Sequence, residues 1–398
     1  MSDMKKTEKI KLSISKFLKI IPDRLKRIES ASDGRPKPRS SYKPNALAEA
    51  LHPRVQHLTV TETRDLSSDV RLFTLRPDAS RGTDRLAPFS AGQYITVFVR
   101  VGDRVLPRPY SITSAPYEAS EKYEIAVKRK NNGGVSDKIH ETWRPGTAVD
   151  VSEPMGVFTY EPLRDAADVV AVAGGVGVTP FRSIVRSVLH GDCAARLTLI
   201  YGARDRESLL FFDEFSASAE FGAIRFIPVT ENGDGAVRGV IGADIISEYA
   251  PDTAYSLFIC GPQAMYRALG AQLPALGLRR KYVRAEVFGQ ITDPWNEPDA
   301  TVPDRDVYTV TVRRNGAEEQ ILCRADESLL SAMERAGIDA PSRCRSGECG
   351  FCHSRLVTGE CFIPERCDRR READAVYGYI HPCCAFPRSD LTLEINPV

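Results

Sequence analysis

Nine residues, Cys344-Arg-Ser-Gly-Glu-Cys349-Gly-Phe-Cys352, restrict the fold of this chain more than any other stretch. Three cysteines stand at C-x4-C-x2-C spacing, with Gly347 and Gly350 between them. A binuclear iron–sulfur cluster needs four thiolates, and such a triplet completed by one distant cysteine is one way to supply them. The glycines let the backbone fold tightly and turn its N–H groups toward the sulfurs. Such donors stabilise added negative charge on the reduced centre. The alternative is a zinc site or a set of reduced bystander thiols. A four-cysteine zinc site usually shows two short C-x2-C knuckles, and this chain has a single such pair.

A protein of 398 residues is long enough for about two to four domains. Its ten cysteines crowd toward one end, and no secretory signal precedes them. That usage favours a reducing cytoplasm and metal ligation over disulfides. No apolar run is long enough to span a membrane. Charge is uneven: residues 1–54 carry 14 Lys+Arg against 6 Asp+Glu, and residues 306–398 carry 12 against 15. A basic end beside an acidic remainder suggests an acidic partner or an anionic membrane surface, and no nucleic-acid-binding fold.

In residues 5–28, Ile10, Ile14, Phe17, Leu18, Ile21, Leu25 and Ile28 recur at helical spacing among lysines, with Pro22 as a break or kink. Such a helix either packs on its own protein or docks on a partner or the inner face of a membrane. Residues 30–46, rich in Ser, Pro, Lys and Arg, read as a linker. Three further patterns follow. Short alternating strands over 55–162 suggest an antiparallel β-barrel. Strands alternating with helices over 163–289 suggest an α/β domain with a parallel sheet. After a Pro-rich, acidic linker at 290–305, the region 306–398 carries the cysteine loop.

The loop resembles that of plant-type ferredoxins, including Arg345 after the first cysteine. The resemblance implies an α+β (β-grasp) domain. It places the fourth ligand beside Cys344, Cys349 and Cys352 at Cys383, five residues after Gly378, with Cys384 left over. The two preceding domains resemble the ferredoxin–NADP reductase superfamily. Arg108-Pro-Tyr110-Ser111 is similar to its flavin motif, so Arg108 is expected on a flavin phosphate, Tyr110 on the ring and Ser111 near its reactive nitrogen. Gly133, Gly134, Val135 and Ser136 match the turn that lays N–H groups on the flavin phosphates. Gly174, Gly175, Gly177, Thr179 and Pro180 match the turn that receives the dinucleotide pyrophosphate. Cys260-Gly261-Pro262 matches the segment beside the nicotinamide. Glu286 and Phe288 resemble the acidic and aromatic residues at the end of that domain. Phe288 would cover the flavin, and Ser111, Cys260 and Glu286 would form the catalytic group.

The implied cofactors are FAD, with FMN as the alternative, a 2Fe-2S cluster, and NADH in preference to NADPH. That last preference rests on Glu231, which would repel a 2′-phosphate, although Arg204 and Arg206 stand nearby. Nicotinamides give hydride and clusters take single electrons; flavin joins the two. The expected activity is an NAD(P)H-dependent reductase serving an external redox protein, such as an oxygenase or a hybrid-cluster protein. A relay subunit of a larger complex and a small-molecule diaphorase are the alternatives.

Overall fold

The computed structural model describes residues 22, 26, 43–131, 133–234, 237–287, 289 and 291–395. Apart from residues 22 and 26, the basic amphipathic stretch lies outside these residues, as does Phe288. The chain divides into two compact units, Met1–Leu51 and His52–Val398. In the first, helix α1 (Lys43–Leu51) begins inside the stretch expected as linker. Its Ala-Leu-Ala-Glu-Ala-Leu run favours a helix, although it buries no side chain.

In the second unit, strands β1 (Gln56–Asp65), β2 (Val70–Pro77), β3 (Tyr94–Val101), β4 (Arg104–Ser111), β5 (Tyr123–Lys128) and β6 (Ala148–Val151) form one antiparallel sheet in the order β4-β3-β6-β1-β2-β5. It curls into a half-barrel whose ends approach where Ile112 bridges Ile125. Alternate residues such as Leu58 and Val60 point into its core. Helix α2 (Val135–Thr142) crosses from β5 to β6.

Strands β7 (Asp168–Gly174), β8 (Arg196–Ala203), β9 (Ile224–Thr230), β10 (Val237–Arg238), β11 (Tyr255–Cys260) and β12 (Val283–Glu286) make a parallel sheet in the order β10-β9-β8-β7-β11-β12. Helices α3 (Thr179–His190), α4 (Phe212–Glu220), α5 (Ala243–Tyr249) and α6 (Gln263–Gly270) connect them. All of β7 is buried because both its faces are covered. Val169, Ala171 and Ala173 enter one apolar cluster, and Val170 and Val172 enter another. The strand order reverses between β7 and β11, the crevice where open α/β sheets bind ligands.

Strands β13 (Val307–Arg314), β14 (Ala317–Arg324), β15 (Ser354–Thr358), β16 (Cys361–Phe362), β17 (Tyr379–Ile380), β18 (Phe386–Pro387) and β19 (Leu391–Ile395) follow, with helix α7 (Leu329–Ala336) after β14. The larger sheet runs β14-β13-β19-β15-β17, with β13 and β19 parallel. Leu329, Leu330, Ala332 and Met333 bury one face of α7 in this domain's core. The segment expected as a linker at 290–305 is tied to the same domain. Ile291 joins its core, Trp295 stacks on Phe362 at 5.3 Å, and Arg366 forks Glu297 at 2.7 and 2.8 Å. Composition signalled a loose connector, but one aromatic and one apolar residue were enough to pin it.

Candidate functional site

Cys344, Cys349, Cys352 and Cys383 converge between α7 and the sheet. The cluster loop needs left-handed backbone at Arg345, Gly347 and Gly350 (φ of 60°, 84° and 73°). A Cβ at Gly347 would lie 2.3 Å from the Cys367 carbonyl and 2.7 Å from Cys384 Sγ, so only glycine fits there. The turn aims backbone donors at sulfur: Ser346 and Cys349 N–H reach Cys344 Sγ at 3.4 and 3.3 Å, and Gly347 N–H reaches Cys383 Sγ at 3.2 Å. Hydrogen bonds from the Cys349 and Cys383 thiols push the Cys344 thiol far down. Sharing with Cys344 pushes Cys349 and Cys383 up. The Cys352 thiol joins them through a hydrogen bond with Cys383, so four sulfurs meet as the donor set of a thiolate-bound centre. It fits a binuclear cluster, with N–H groups already turned to the sulfurs. Among the described residues, no three His, Cys, Asp or Glu side chains surround the position of a single metal ion. Cys384 Sγ lies against the same loop, sharing a hydrogen bond with the Cys383 thiol and donating to the His381 carbonyl at 3.4 Å.

On the half-barrel, β4 carries Arg108, Tyr110 and Ser111, and Tyr94 pairs with Ser111 across the strands. Ser111 Oγ is buried without a hydrogen-bond partner, and so are both carboxylate oxygens of Glu286. Buried polar atoms are rarely left unpaired. Three such atoms at the inner ends of β4 and β12 are what a polar ring ligand would satisfy. Gly156 lies against Tyr94 and Glu286: a Cβ there would stand 3.0 Å from the Tyr94 ring and 3.6 Å from Glu286 Oε1. Burial, then the charges of Glu348 and Cys344, push the Glu286 carboxyl well up. Burial likewise raises Tyr110.

The turn at Gly133–Ser136 caps α2, as its glycines suggest. Part of it is already occupied. Asp137, 4% exposed, accepts the N–H groups of Asn131 and Gly133 at 2.9 and 2.7 Å, and Ser136 Oγ accepts that of Lys130 at 3.2 Å. The N–H groups of Asp137 and Lys138 both donate to the Gly134 carbonyl at 3.1 Å.

At the switch point, the Gly174–Val178 turn and the Cys260–Pro262 turn interlock. A Cβ at Gly177 would lie 2.3 Å from the Cys260 carbonyl, and one at Gly174 would lie 2.9 Å from Met265 Sδ. Thr179 Oγ1 donates to the Val176 carbonyl at 2.9 Å, and Pro180 stands in the first turn of α3. Cys260 and Glu286 are neighbours on parallel strands. Burial, then Glu286, raises the Cys260 thiol, so it stays a neutral thiol. A cleft of about 450 Å³ opens beside these turns, lined by Gly174, Gly175, Arg204, Glu231 and Pro262. Arg206 instead lays its guanidinium 3.8 Å over Phe212.

One residue of the site, Tyr266, escaped the sequence reading. Tyr266 donates its hydroxyl to the Glu286 carbonyl and accepts Gly261 N–H at 3.1 Å, which joins the ends of β11 and β12. The only trace of it in sequence is an aromatic six residues after Cys260. Tyr94, 2% exposed, lies with Glu286 around Gly156; burial, then the charges of Cys344, Cys349 and Glu286, raise its hydroxyl.

Comparison with known proteins gives three matches in order: an oxidoreductase FAD-binding domain at residues 57–160, an oxidoreductase NAD-binding domain at 171–270, and a 2Fe-2S iron-sulfur cluster binding domain at 312–388. The chain is 31% identical to the 3-ketosteroid-9-alpha-monooxygenase ferredoxin reductase component of Rhodococcus rhodochrous, over 84% of this chain and 94% of that protein. It is 27% identical to the glycine betaine monooxygenase reductase subunit of Chromohalobacter salexigens, over 82% and 91%. Among solved structures, phthalate dioxygenase reductase superposes with a TM-score of 0.62 at 28% identity, over 86% of this chain and 98% of that one.

Proposed function

The chain belongs to the family of oxidoreductases that carry FAD-binding, NAD-binding and 2Fe-2S domains in one polypeptide, and from that premise we propose that its acceptor is the terminal component of an oxygenase. It is an NAD(P)H:acceptor oxidoreductase that passes electrons from nicotinamide through flavin to a 2Fe-2S cluster and on to a redox protein. The observation that carries the assignment to one continuous path is Tyr94. This buried side chain packs with Glu286 around Gly156, and burial, then the charges of Cys344 and Cys349, raise its hydroxyl.

Bound flavin would supply what side chains lack, accepting two electrons with a hydride and releasing them singly. The chain's own residues do the rest. Arg108 offers its guanidinium to a flavin phosphate beside the turn at Gly133, Gly134, Val135 and Ser136. The Tyr110 ring excludes water from one side of the pocket. Ser111 Oγ presents a hydroxyl, and Glu286, whose proton-carrying form burial favours, presents a second donor. Gly174, Gly175, Gly177, Thr179 and Pro180 admit the dinucleotide backbone, and Cys260, Gly261 and Pro262 border the nicotinamide. Tyr266 holds Gly261 and Glu286 at a constant spacing, as near-attack geometry demands. Cys344, Cys349, Cys352 and Cys383 hold the cluster.

Glu231 on the cleft wall favours the free ribose hydroxyls of NADH over a 2′-phosphate. The N-terminal segment, net +8 over residues 1–54, attaches to anionic lipid. Vesicle co-sedimentation with and without residues 1–54 tests that, and equal behaviour rejects it. The electron path is tested with Cys349→Ser in the full chain. It keeps NAD(P)H:ferricyanide activity and loses most cytochrome c reduction. Equal cytochrome c rates in variant and wild type would show that electrons leave before the cluster.

A further inference from the structure

Glu334 sits near the end of α7, in the 2Fe-2S domain, yet the groups it meets come from two domains. Arg345, next to the cluster ligand Cys344, forks it through Nη1 to Oε1 and through Nη2 to Oε2 at 2.9 Å. Arg108, on β4 of the flavin half-barrel, approaches the same two oxygens from the other side, each at 3.4 Å. Arg104, two positions of like facing earlier on β4, donates to the Glu334 carbonyl. A cation there meets the negative end of the helix dipole. Nearby, Arg343 of the cluster domain is sandwiched between Phe98 of β3, at 4.8 Å, and its own domain's Phe351, at 4.6 Å.

We propose that Glu334 is a positioning residue that clamps the 2Fe-2S domain onto the flavin half-barrel, with Arg108 serving the clamp and the flavin phosphate together. The charge count requires such an arrangement. Arg345 and Arg108 are both sheltered, at 4% and 25% side-chain exposure, and they share one carboxylate that is 14% exposed. One positive charge is left over. Arg345 holds the shorter contacts, so Arg108 is the arginine with capacity for a second anion. Remove the carboxylate's charge and two guanidiniums face each other across a domain boundary with nothing between them. The clamp therefore lies between the flavin site and the cluster, and acts on transfer between them without touching the nicotinamide cleft.

This inference rests on the electron path given above, and the test separates the two. Full-length wild type and Glu334→Gln are mixed anaerobically with NADH or NADPH, and flavin bleaching and cluster reduction are followed separately. Expected is flavin reduction within about twofold of wild type and cluster reduction slowed at least about tenfold. Amide exchange in α7 and β4 is expected to rise together in the variant. Glu334→Asp, which keeps the charge on a shorter arm, should recover part of the cluster rate. Arg104→Leu leaves the cluster loop untouched and is expected to slow the same step, so it decides the matter if Glu334→Gln incorporates its cluster poorly. Cluster reduction and exchange at wild-type levels in both Glu334→Gln and Arg104→Leu would overturn the clamp. A wild-type protein whose flavin bleaches while its cluster stays oxidised would overturn the electron path itself.

Discussion

The flavin half-barrel meets its two neighbours in different ways. Toward the nicotinamide domain the contact is dense and partly apolar. Val70, Leu72, Ala126 and Phe158 merge into the core that Phe181, Ile184 and Phe258 share. Within it Arg182 donates to Glu124 at 2.7 Å and to Glu214 at 2.8 Å, and Arg186 pairs with Glu118 at 2.6 Å. Toward the 2Fe-2S domain, among the described residues, no apolar cluster crosses. The contacts are arginines on one glutamate and a cation over a ring. The contrast follows the chemistry. Hydride transfer needs two rings held in near-attack geometry, and a fused core supplies that rigidity. An electron passed to a cluster makes no bond, so a polar, separable contact suffices. A polar interface also leaves the cluster domain freer to move, as interfaces of that kind ordinarily do.

The most severe way to break the comparison is to delete the cluster. Cys383→Ser should abolish the cluster's visible absorption and lower cytochrome c reduction by about a hundredfold or more, the range expected for loss of an essential group. Cys384→Ser should keep both. The opposite pair of results would exchange the two assignments. Next in size is the fused interface. Arg182→Met strands Glu124 and Glu214, and breaking such a buried pair costs about 3–5 kcal/mol. Thermal melts should show that loss, whereas Arg104→Leu, which removes only a donor to the Glu334 carbonyl at the charged contact, should shift the melt far less. Equal shifts would erase the distinction between the interfaces.

Acid gives a milder test. Burial alone would raise the Glu124 carboxyl, but the adjacent Arg182 guanidinium outweighs it and holds the group below its ordinary value of 4.5. A depressed carboxylate contributes stability that is present above the unfolded value and is lost as pH falls through the folded one. Wild type should therefore lose melting temperature below about pH 4.5, more steeply than Glu124→Gln. Parallel curves would mean that the pair does not stabilise the fused interface. The smallest effect concerns the cleft outside both interfaces. Glu231→Gln removes a charge beside the ribose site and should raise the NADPH-to-NADH ratio of kcat/KM by about tenfold, one coupling of about 1.4 kcal/mol. An unchanged ratio would place nucleotide selection elsewhere.

Much of the site was legible because its requirements are local. A cluster loop must place thiolates and left-handed glycines within nine residues, so Cys344–Cys352 announces itself. A strand covered on both faces must be apolar throughout, so Val169–Ala173 reads as a central strand. Gly174 and Gly177 lie where a side chain would strike the facing turn. The half-barrel, the parallel sheet and the order of three domains followed from such patterns.

What the chain could not disclose in sequence is which distant groups share a charge or a cavity. Asp137 reads as an ordinary helix-start acid, yet it fills part of the turn expected to hold phosphate. Trp295 and Glu297 read as linker, yet they anchor the linker to the cluster domain. Glu334 carries no motif at all. The physical reason is the same in each case. Motifs record constraints between residues close along the backbone, where covalent geometry limits the answers. A carboxylate 226 positions from the guanidinium it meets is constrained only when folding removes both from water. Sequence alone determined the cofactor classes and the order in which their domains occur. Tertiary structure decided that the three domains meet through one fused boundary and one charged one.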